Sequence, residues 1–407
     1  MKSLATGPPF GSKGRMRGAM GSDDGAPSAS SPKAGPRVLH VIPTAIGRGA
    51  PIFARVLVDE LGGPEKGHRL VSLFDGDDDV KVDGHLRLPG GAPAASGLHP
   101  QALGALVRRL GRFEYDVVVA HGGDAFKYLA LATRAPIVYC VIGTWPATAH
   151  GRARRWVWTA LARRARVAVA VSDDVASDYC DVLSLRSDRV TVIPNGRNEH
   201  QYEPPATAAR TPTTTRGVRL LFAGALTPGK GPDRFVDIVR ALRDRGSDVD
   251  GTIVGDGPLR SALTPDAAEA GVELVGWCAD VVPHLQRADL LVFPSRPDGE
   301  GMPGVLIEAG LCGLPAVATR VAGASTVIEE GRTGFVVPVD DFDALLNACE
   351  VLVRDPARRQ DMGRAARDRC LQRFTLGEVA HRWDELLCDV AAARGSAPAR
   401  RATTMPR

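Results

Sequence analysis

The chain has 407 residues, 44% of them apolar and 24% charged, with a formal net charge of +4. That length is too great for one core and suits two domains at roughly 150 residues each, and the small net charge, with no aromatic-studded basic repeat or metal finger, argues against a dedicated nucleic-acid binder. Seven widely spaced cysteines without a C-x-x-C pair read as reduced core thiols of a cytoplasmic protein, and no apolar run approaches the roughly 18 residues that cross a bilayer.

Residues 1–36 are rich in Gly, Pro and Ser, lack the apolar centre of a signal peptide and are expected to be disordered. From Arg37 short β-branched runs alternate with helical patterns: VLHVI, PIFARVLVDEL, RLVSLF, QALGALVRRL, DVVVA, AFKYLALAT, PIVYCVI, RRWVWTALARR, RVAVAVS and RVTVIP. Continuous apolar strands interleaved with helices predict a parallel sheet covered on both faces, so residues 37–202 are expected to form one doubly wound, Rossmann-like α/β domain. Within it, Ser172 in AVSDD is expected to cap a helix and Asn195-Gly196 to make a turn. The stretch Arg152 to Arg166 holds six arginines, no acid, and both Trp156 and Trp158. It reads either as a solvated cover helix for the sheet or as a peripheral contact with an anionic membrane surface.

Residues 203–217, with PPATAARTPTTTR, have little apolar content and no periodicity and read as a linker. The alternation then restarts with VRLLFAG, FVDIVRALRDRG, GTIVGDG, VELVGW, DLLVFPS, LPAVATR and TGFVVP, so 218–374 predict a second doubly wound domain. In 375–391, Leu376, Val379, Trp383, Leu386 and Leu387 recur at helical spacing and must pack on another element. Residues 392–407 are expected to be a loose tail.

Ligands of open α/β sheets bind beyond the carboxyl ends of the strands. In the second domain these ends carry GALTPGKG (Gly224 to Gly231), GDGP, Gly276 with Trp277, the loop Pro294 to Gly304, and Val321 to Ala324. Glycines, one lysine and one acid-bearing loop make a rim suited to a phosphorylated ligand. Lys230 opens a helix, where backbone N–H groups and the dipole already favour an anion; it is either a diphosphate-neutralising cation or a solvated helix-start lysine. The loop is not a Walker A sequence, because Gly231 follows the lysine. In PDGEGMPGVLIEAG the helix is expected to start near Gly304, leaving Glu300 in the loop and Glu308 one turn inside, among Val305, Leu306, Ile307 and Ala309. Burying an ionised carboxylate without partners costs several kcal/mol. Glu308 therefore faces either the ribose diol of a nucleotide whose diphosphate meets the first-turn N–H groups, or a neighbouring arginine; Glu300 is a ligand-facing acid or a solvated loop acid.

The segments FAGALTPGKGPD, IVGDGPL, VELVGW, ADLLVFPS, EGMPGVLIEAGLCGLPAVAT and EEGRTGFVVPVDD, in that order, resemble the nucleotide-sugar domain of retaining glycosyltransferases of family 4. VLHVIPTAIGRGAP, DVVVAHGG, VAVAVSDD and VTVIPNG are similar to the first domain of that family, more weakly. The resemblance implies the GT-B architecture: two Rossmann-like domains facing a central cleft, with the last helix returning to the first domain. It implies transfer of a sugar, with retention, from a nucleoside diphosphate sugar to a hydroxyl acceptor in glycan or glycolipid assembly, in the cytoplasm or at the inner face of the membrane, without a metal or other cofactor.

Carried over residue by residue, the resemblance implies that Glu300 contacts the transferred sugar near its reacting carbon and that Glu308 binds the ribose. Gly301, Met302, Pro303, Gly304 and Val305 hold sugar and diphosphate, and Lys230 neutralises the diphosphate as it leaves. His121, after strand DVVVA, faces sugar or acceptor from the first domain's rim; otherwise it is a helix-start residue beside Asp124. Gly49, Gly224 and Trp277 fall on the donor rim. Two departures stand out: Ala225 occupies a position where many relatives carry arginine, and Arg48 precedes Gly49 where a Gly-Gly pair is common. Arg48 is expected to supply the compensating charge. The same architecture also accommodates a nucleotide-sugar epimerase or hydrolase, and a catalytically silent partner subunit.

Overall fold

The computed structural model describes residues 35–46, 49–76, 79–89, 98–145, 151–204, 217–297 and 300–395. The loose segments expected over 1–34, 205–216 and 396–407 lie outside the described residues.

In the first lobe the chain runs β1 (Val38–Ile42), α1 (Gly49–Glu60), β2 (His68–Ser72), β3 (Gly84–His85), α2 (Pro100–Leu110), β4 (Val117–His121), α3 (Gly123–Ala132), β5 (Ile137–Val141), α4 (Arg152–Ala162), β6 (Ala165–Ala170), α5 (Asp173–Leu183) and β7 (Val190–Val192). These strands form one seven-stranded sheet in the order β3-β2-β1-β4-β5-β6-β7, parallel throughout. Successive strand residues point to opposite faces, and here both faces are covered: Val118 and Ala120 join the core under α2 and α3, whereas Val117 and Val119 join the opposite one, with Phe53 and Leu57 of α1. That explains why the strands read as unbroken apolar runs.

The second lobe comprises β8 (Val218–Ala223), α6 (Pro232–Asp244), β9 (Val249–Val254), α7 (Arg260–Glu269), β10 (Val272–Gly276), α8 (Val282–Arg287), β11 (Leu290–Phe293), α9 (Gly304–Leu311), β12 (Ala316–Thr319), α10 (Ala324–Val327), β13 (Gly334–Val337), α11 (Phe342–Arg354) and α12 (Pro356–Arg373). Its six parallel strands are ordered β10-β9-β8-β11-β12-β13. The order reverses between β8 and β11, which opens a ligand crevice at their carboxyl ends.

The last helix, α13 (Leu376–Gly395), returns to the first lobe as expected. Val379, Trp383 and Leu387 are fully buried in one cluster with Val38, Val117 and Val138, so the apolar stripe packs beneath the first sheet. This helix reaches Gly395, so it runs four residues beyond the expected boundary at 391. The two chain crossings meet where Arg197 and Thr375 form an isolated parallel bridge.

Candidate functional site

The strand-end turn after β8 carries the lysine. Pro228–Lys230 form a single tight turn, and Gly231 follows with φ 67° before Pro232 opens α6. A side chain at Gly231 would overlap the Pro294 carbonyl oxygen, so the turn sits directly against the loop that follows β11, and only glycine combines that φ with that approach. Lys230 is thereby aimed at Glu300: its Nζ donates to Glu300 Oε1 and lies 5.7 Å from the centre of the Phe293 ring. The Glu300 side chain is only 7% exposed, a burial that a carboxylate sustains when a cation holds it. The two residues expected to flank a bound sugar and its diphosphate are bonded to each other.

The loop after Glu300 is wedged between the lobes. Gly301, Met302 and Pro303 are buried. Ser172 Oγ donates to the Gly301 carbonyl at 2.9 Å while also accepting from Val175 N as the N-cap of α5. The Asn195 amide lies 3.3 Å from Met302 Sδ, and Asp174 Oδ2 accepts from Gly323 N at 2.9 Å. Ser172 therefore caps its helix as expected and also fastens the second lobe.

Helix α9 begins at Gly304 as expected, after Pro303 and with no side-chain cap on its first N–H groups. Glu308 does sit one turn inside, 15% exposed, but its partner is protein: Arg197 Nε, from the crossing after β7, lies 2.8 Å from Glu308 Oε1. Of the two partners open to this acid, the one the protein itself supplies is an arginine. Burial, with the Glu308 carboxylate close by, pushes the Tyr202 phenol up to about 12.

His121 departs from the expectation. It is 1% exposed and does not stand on an open rim. Strand alternation gives the reason: as the third of the residues Val117, Val119 and His121, it turns to the face that α13 covers. Its ring stacks on His40 at 5.4 Å and lies 6.4 Å from the Trp383 ring. His121 Nε2 and His40 Nδ1 are 3.2 Å apart, His40 Nε2 and His68 Nδ1 3.3 Å, while His121 Nδ1 is buried without a hydrogen-bond partner. Burial lowers the His121 pKa to about 3 and, together with its imidazole neighbours, holds His40 well below the usual histidine range. Three neutral imidazoles thus share hydrogen bonds in a dry interior.

Gly224, whose amide donates to Val254 O at 3.0 Å, lies beside β9, and Ala225 is exposed. Trp277 is 75% exposed beyond β10. Gly49 is exposed at the start of α1 with φ 51°; Arg48 lies outside the described residues. Among the described residues no group of three or more His, Cys, Asp or Glu side chains is placed to hold a metal ion, and no described helix is long and apolar enough to cross a membrane. Arg197 had no sequence signal: Asn195 and Gly196 before it do not make the expected turn, which falls instead at Asn198–Gln201, and its acid lies 111 residues away.

Two protein families match this chain in tandem: "Glycosyltransferase Family 4" over residues 48–201 and "Glycosyl transferases group 1" over 217–355. Among curated relatives, the D-inositol 3-phosphate glycosyltransferase of Arthrobacter sp. (strain FB24) is 35% identical over 199 residues, 44% of this chain and 45% of that protein. The GDP-mannose-dependent alpha-(1-6)-phosphatidylinositol monomannoside mannosyltransferase of Mycolicibacterium smegmatis is 37% identical over 180 residues, 42% and 47% respectively. The chain spans about half the length of these curated relatives. Among solved structures, Anabaena HepE in complex with UDP superposes with a TM-score of 0.72 over 87% of this chain and 100% of that one, at 20% identity, a likeness of fold.

Proposed function

Because the chain belongs to the GT-B-fold glycosyltransferases related to family 4, we propose that it transfers a sugar, with retention at the anomeric carbon, from a nucleoside diphosphate sugar to a hydroxyl acceptor. The observation that carries this reading is the pairing of Lys230 with Glu300 beside the uncapped start of α9, at the crevice where the order of the second sheet reverses. A diphosphate entering there meets the first turn of α9 and a lysine within reach, which gives up Glu300 to face the negative charge that builds on the leaving group. Once Lys230 turns to the phosphates, Glu300 is released toward the sugar. The reacting centre passes through an oxocarbenium-like state, which a carboxylate stabilises, and the leaving phosphate takes the acceptor proton on the same face.

The buried inter-lobe seam around Gly301 and Ser172 supports a cleft that closes over the donor and keeps water from competing as acceptor. For the acceptor we propose presentation at an anionic lipid surface on the cytoplasmic side. Helix α4 supports this: Arg152, Arg154, Arg155 and Trp156 are all exposed, Trp156 to 74%, while Trp158, Leu161 and Ala162 alone secure the helix to the core.

The test is incubation of the purified full chain with mixed nucleotide sugars and a lipid extract, read by mass spectrometry, beside thermal shifts with UDP, GDP, ADP and dTDP. A glycosylated acceptor that disappears with Lys230→Ala supports the reading. Free sugar without acceptor dependence assigns a hydrolase instead. Binding without turnover assigns a silent partner subunit, and no shift with any diphosphate refutes the donor site itself.

A further inference from the structure

Arg197 occupies a singular place. Its amide donates to Phe374 O at 2.9 Å, and its carbonyl accepts from Leu376 N at 2.8 Å. A Cβ at the preceding Gly196 would stand 3.0 Å from Leu376 Cα and 3.1 Å from Val379 Cβ. The backbone is therefore clamped where the chain passes between the lobes on both of its crossings, at the pivot about which the lobes would move.

The side chain reaches out from this anchor over the start of α9. Beyond its bond to Glu308, a Cβ at Gly304 would overlap Arg197 Nη2, lying 3.0 Å from Cζ and 3.4 Å from Glu308 Oε1. The guanidinium thus rests on the first residue of the helix, 27% exposed. Helix N-termini carry partial positive charge, so a cation is unfavourable there unless an anion accompanies it. Here that anion is Glu308. A diphosphate on the first turn would meet the same requirement with more charge and with oxygens matched to a guanidinium fork.

The local charge count points the same way. Glu300 and Glu308 against Lys230 and Arg197 sum to zero. Without Arg197 these two pairs would leave two acids against one lysine, a balance less favourable to an anionic donor.

Resting on the reading proposed above, we infer that Arg197 is a donor-binding residue: it is held by Glu308 at the start of α9, and on donor entry its guanidinium turns onto the diphosphate and releases Glu308 to the ribose diol. The pivot supplies the second cation that Ala225 does not, from the first lobe's end of the chain.

The experiment measures dissociation constants of wild type, Arg197→Ala and Arg197→Lys by calorimetry for uridine, UMP and UDP, and for the guanosine, adenosine and thymidine series. The inference expects Arg197→Ala to weaken the preferred diphosphate by about tenfold or more, to leave its nucleoside within about twofold, and to be partly rescued by Arg197→Lys. A variant that binds the diphosphate as well as wild type, or more tightly, overturns it and makes the arginine a latch on Glu308 alone. Equal weakening of nucleoside, monophosphate and diphosphate overturns it as a structural effect. If wild type itself binds none of the four diphosphates, the glycosyl-transfer reading falls and this inference with it; wild-type binding with an indifferent variant removes only the inference.

Discussion

Gly301→Ala tests whether the wedged loop sets the geometry of the reaction. A methyl at residue 301 would overlap Ile142 O and stand 2.7 Å from Gly143 Cα and 2.8 Å from Ile142 C, all backbone atoms of the first lobe. Backbone cannot swing aside as a side-chain tip can, so the loop must retreat by about 1 Å, or the lobes must part by as much. Glu300 is the preceding residue, and its carboxylate would move with the loop. A misplacement of about 1 Å costs on the order of 100-fold in rate when it affects reacting groups, whereas overpacking costs about 1–3 kcal/mol of stability. The assay is kcat/KM for sugar transfer with the preferred donor, beside urea unfolding to separate geometry from folding. A Gly301→Ala chain that turns over at the wild-type rate while folded would refute the reasoning, since it would mean that the seam plays no part in the closed arrangement.

Two other perturbations probe the first lobe. His121 holds its pKa at about 3 when folded and at about 6.5 when unfolded, so the unfolded chain takes the proton first; stability is complete above pH 6.5, falls as the pH drops toward 3, and loses about 2 kcal/mol from this group between pH 7 and 5. His40 adds in the same direction; urea midpoints at the two pH values check the slope, which should flatten in His121→Leu, and an unchanged slope would remove these imidazoles as its source. At the surface, full-length protein should sediment with phosphatidylglycerol vesicles and not with phosphatidylcholine ones, with binding lost in Trp156→Ala or in high salt; equal sedimentation with both lipids would argue against an electrostatic contact by α4.

What the sequence disclosed follows from the range of the interactions involved. The start of α9 at Gly304, the cap at Ser172 and the turn before Lys230 were legible because each rests on neighbours a few residues away: a proline, a hydroxyl reaching Val175 N at 3.3 Å, a glycine at φ 67°. The stripe of α13 showed that Trp383 is buried but not what buries it. Three features stayed hidden because they depend on how the lobes and layers meet. The bond from Ser172 to Gly301 spans 129 residues and that from Arg197 to Glu308 spans 111. His121 looked like a rim residue because it ends a strand; its parity with Val117 and Val119 turns it inward, and that direction signifies burial only once α13 is known to cover that face.

The two ion pairs of the crevice bear on how a donor enters. Among the described residues, the two cations proposed to meet a diphosphate are each paired with an acid proposed to meet the sugar or the ribose, Lys230 with Glu300 and Arg197 with Glu308. Four charges that cancel allow the lobes to meet along Gly301 and Ser172 without stranding an unpaired ion in a low-dielectric seam, which would cost several kcal/mol. On the reading proposed above, a donor gains little until both pairs exchange partners, and the loop that carries Glu300 is held at the seam by Ser172 bonded to Gly301. That reading predicts that donor entry and opening of the seam are coupled. Loosening the seam by removing the Ser172 hydroxyl would then speed donor association while slowing the chemical step that depends on closure, and a Ser172→Ala chain in which both rates move the same way would separate the two.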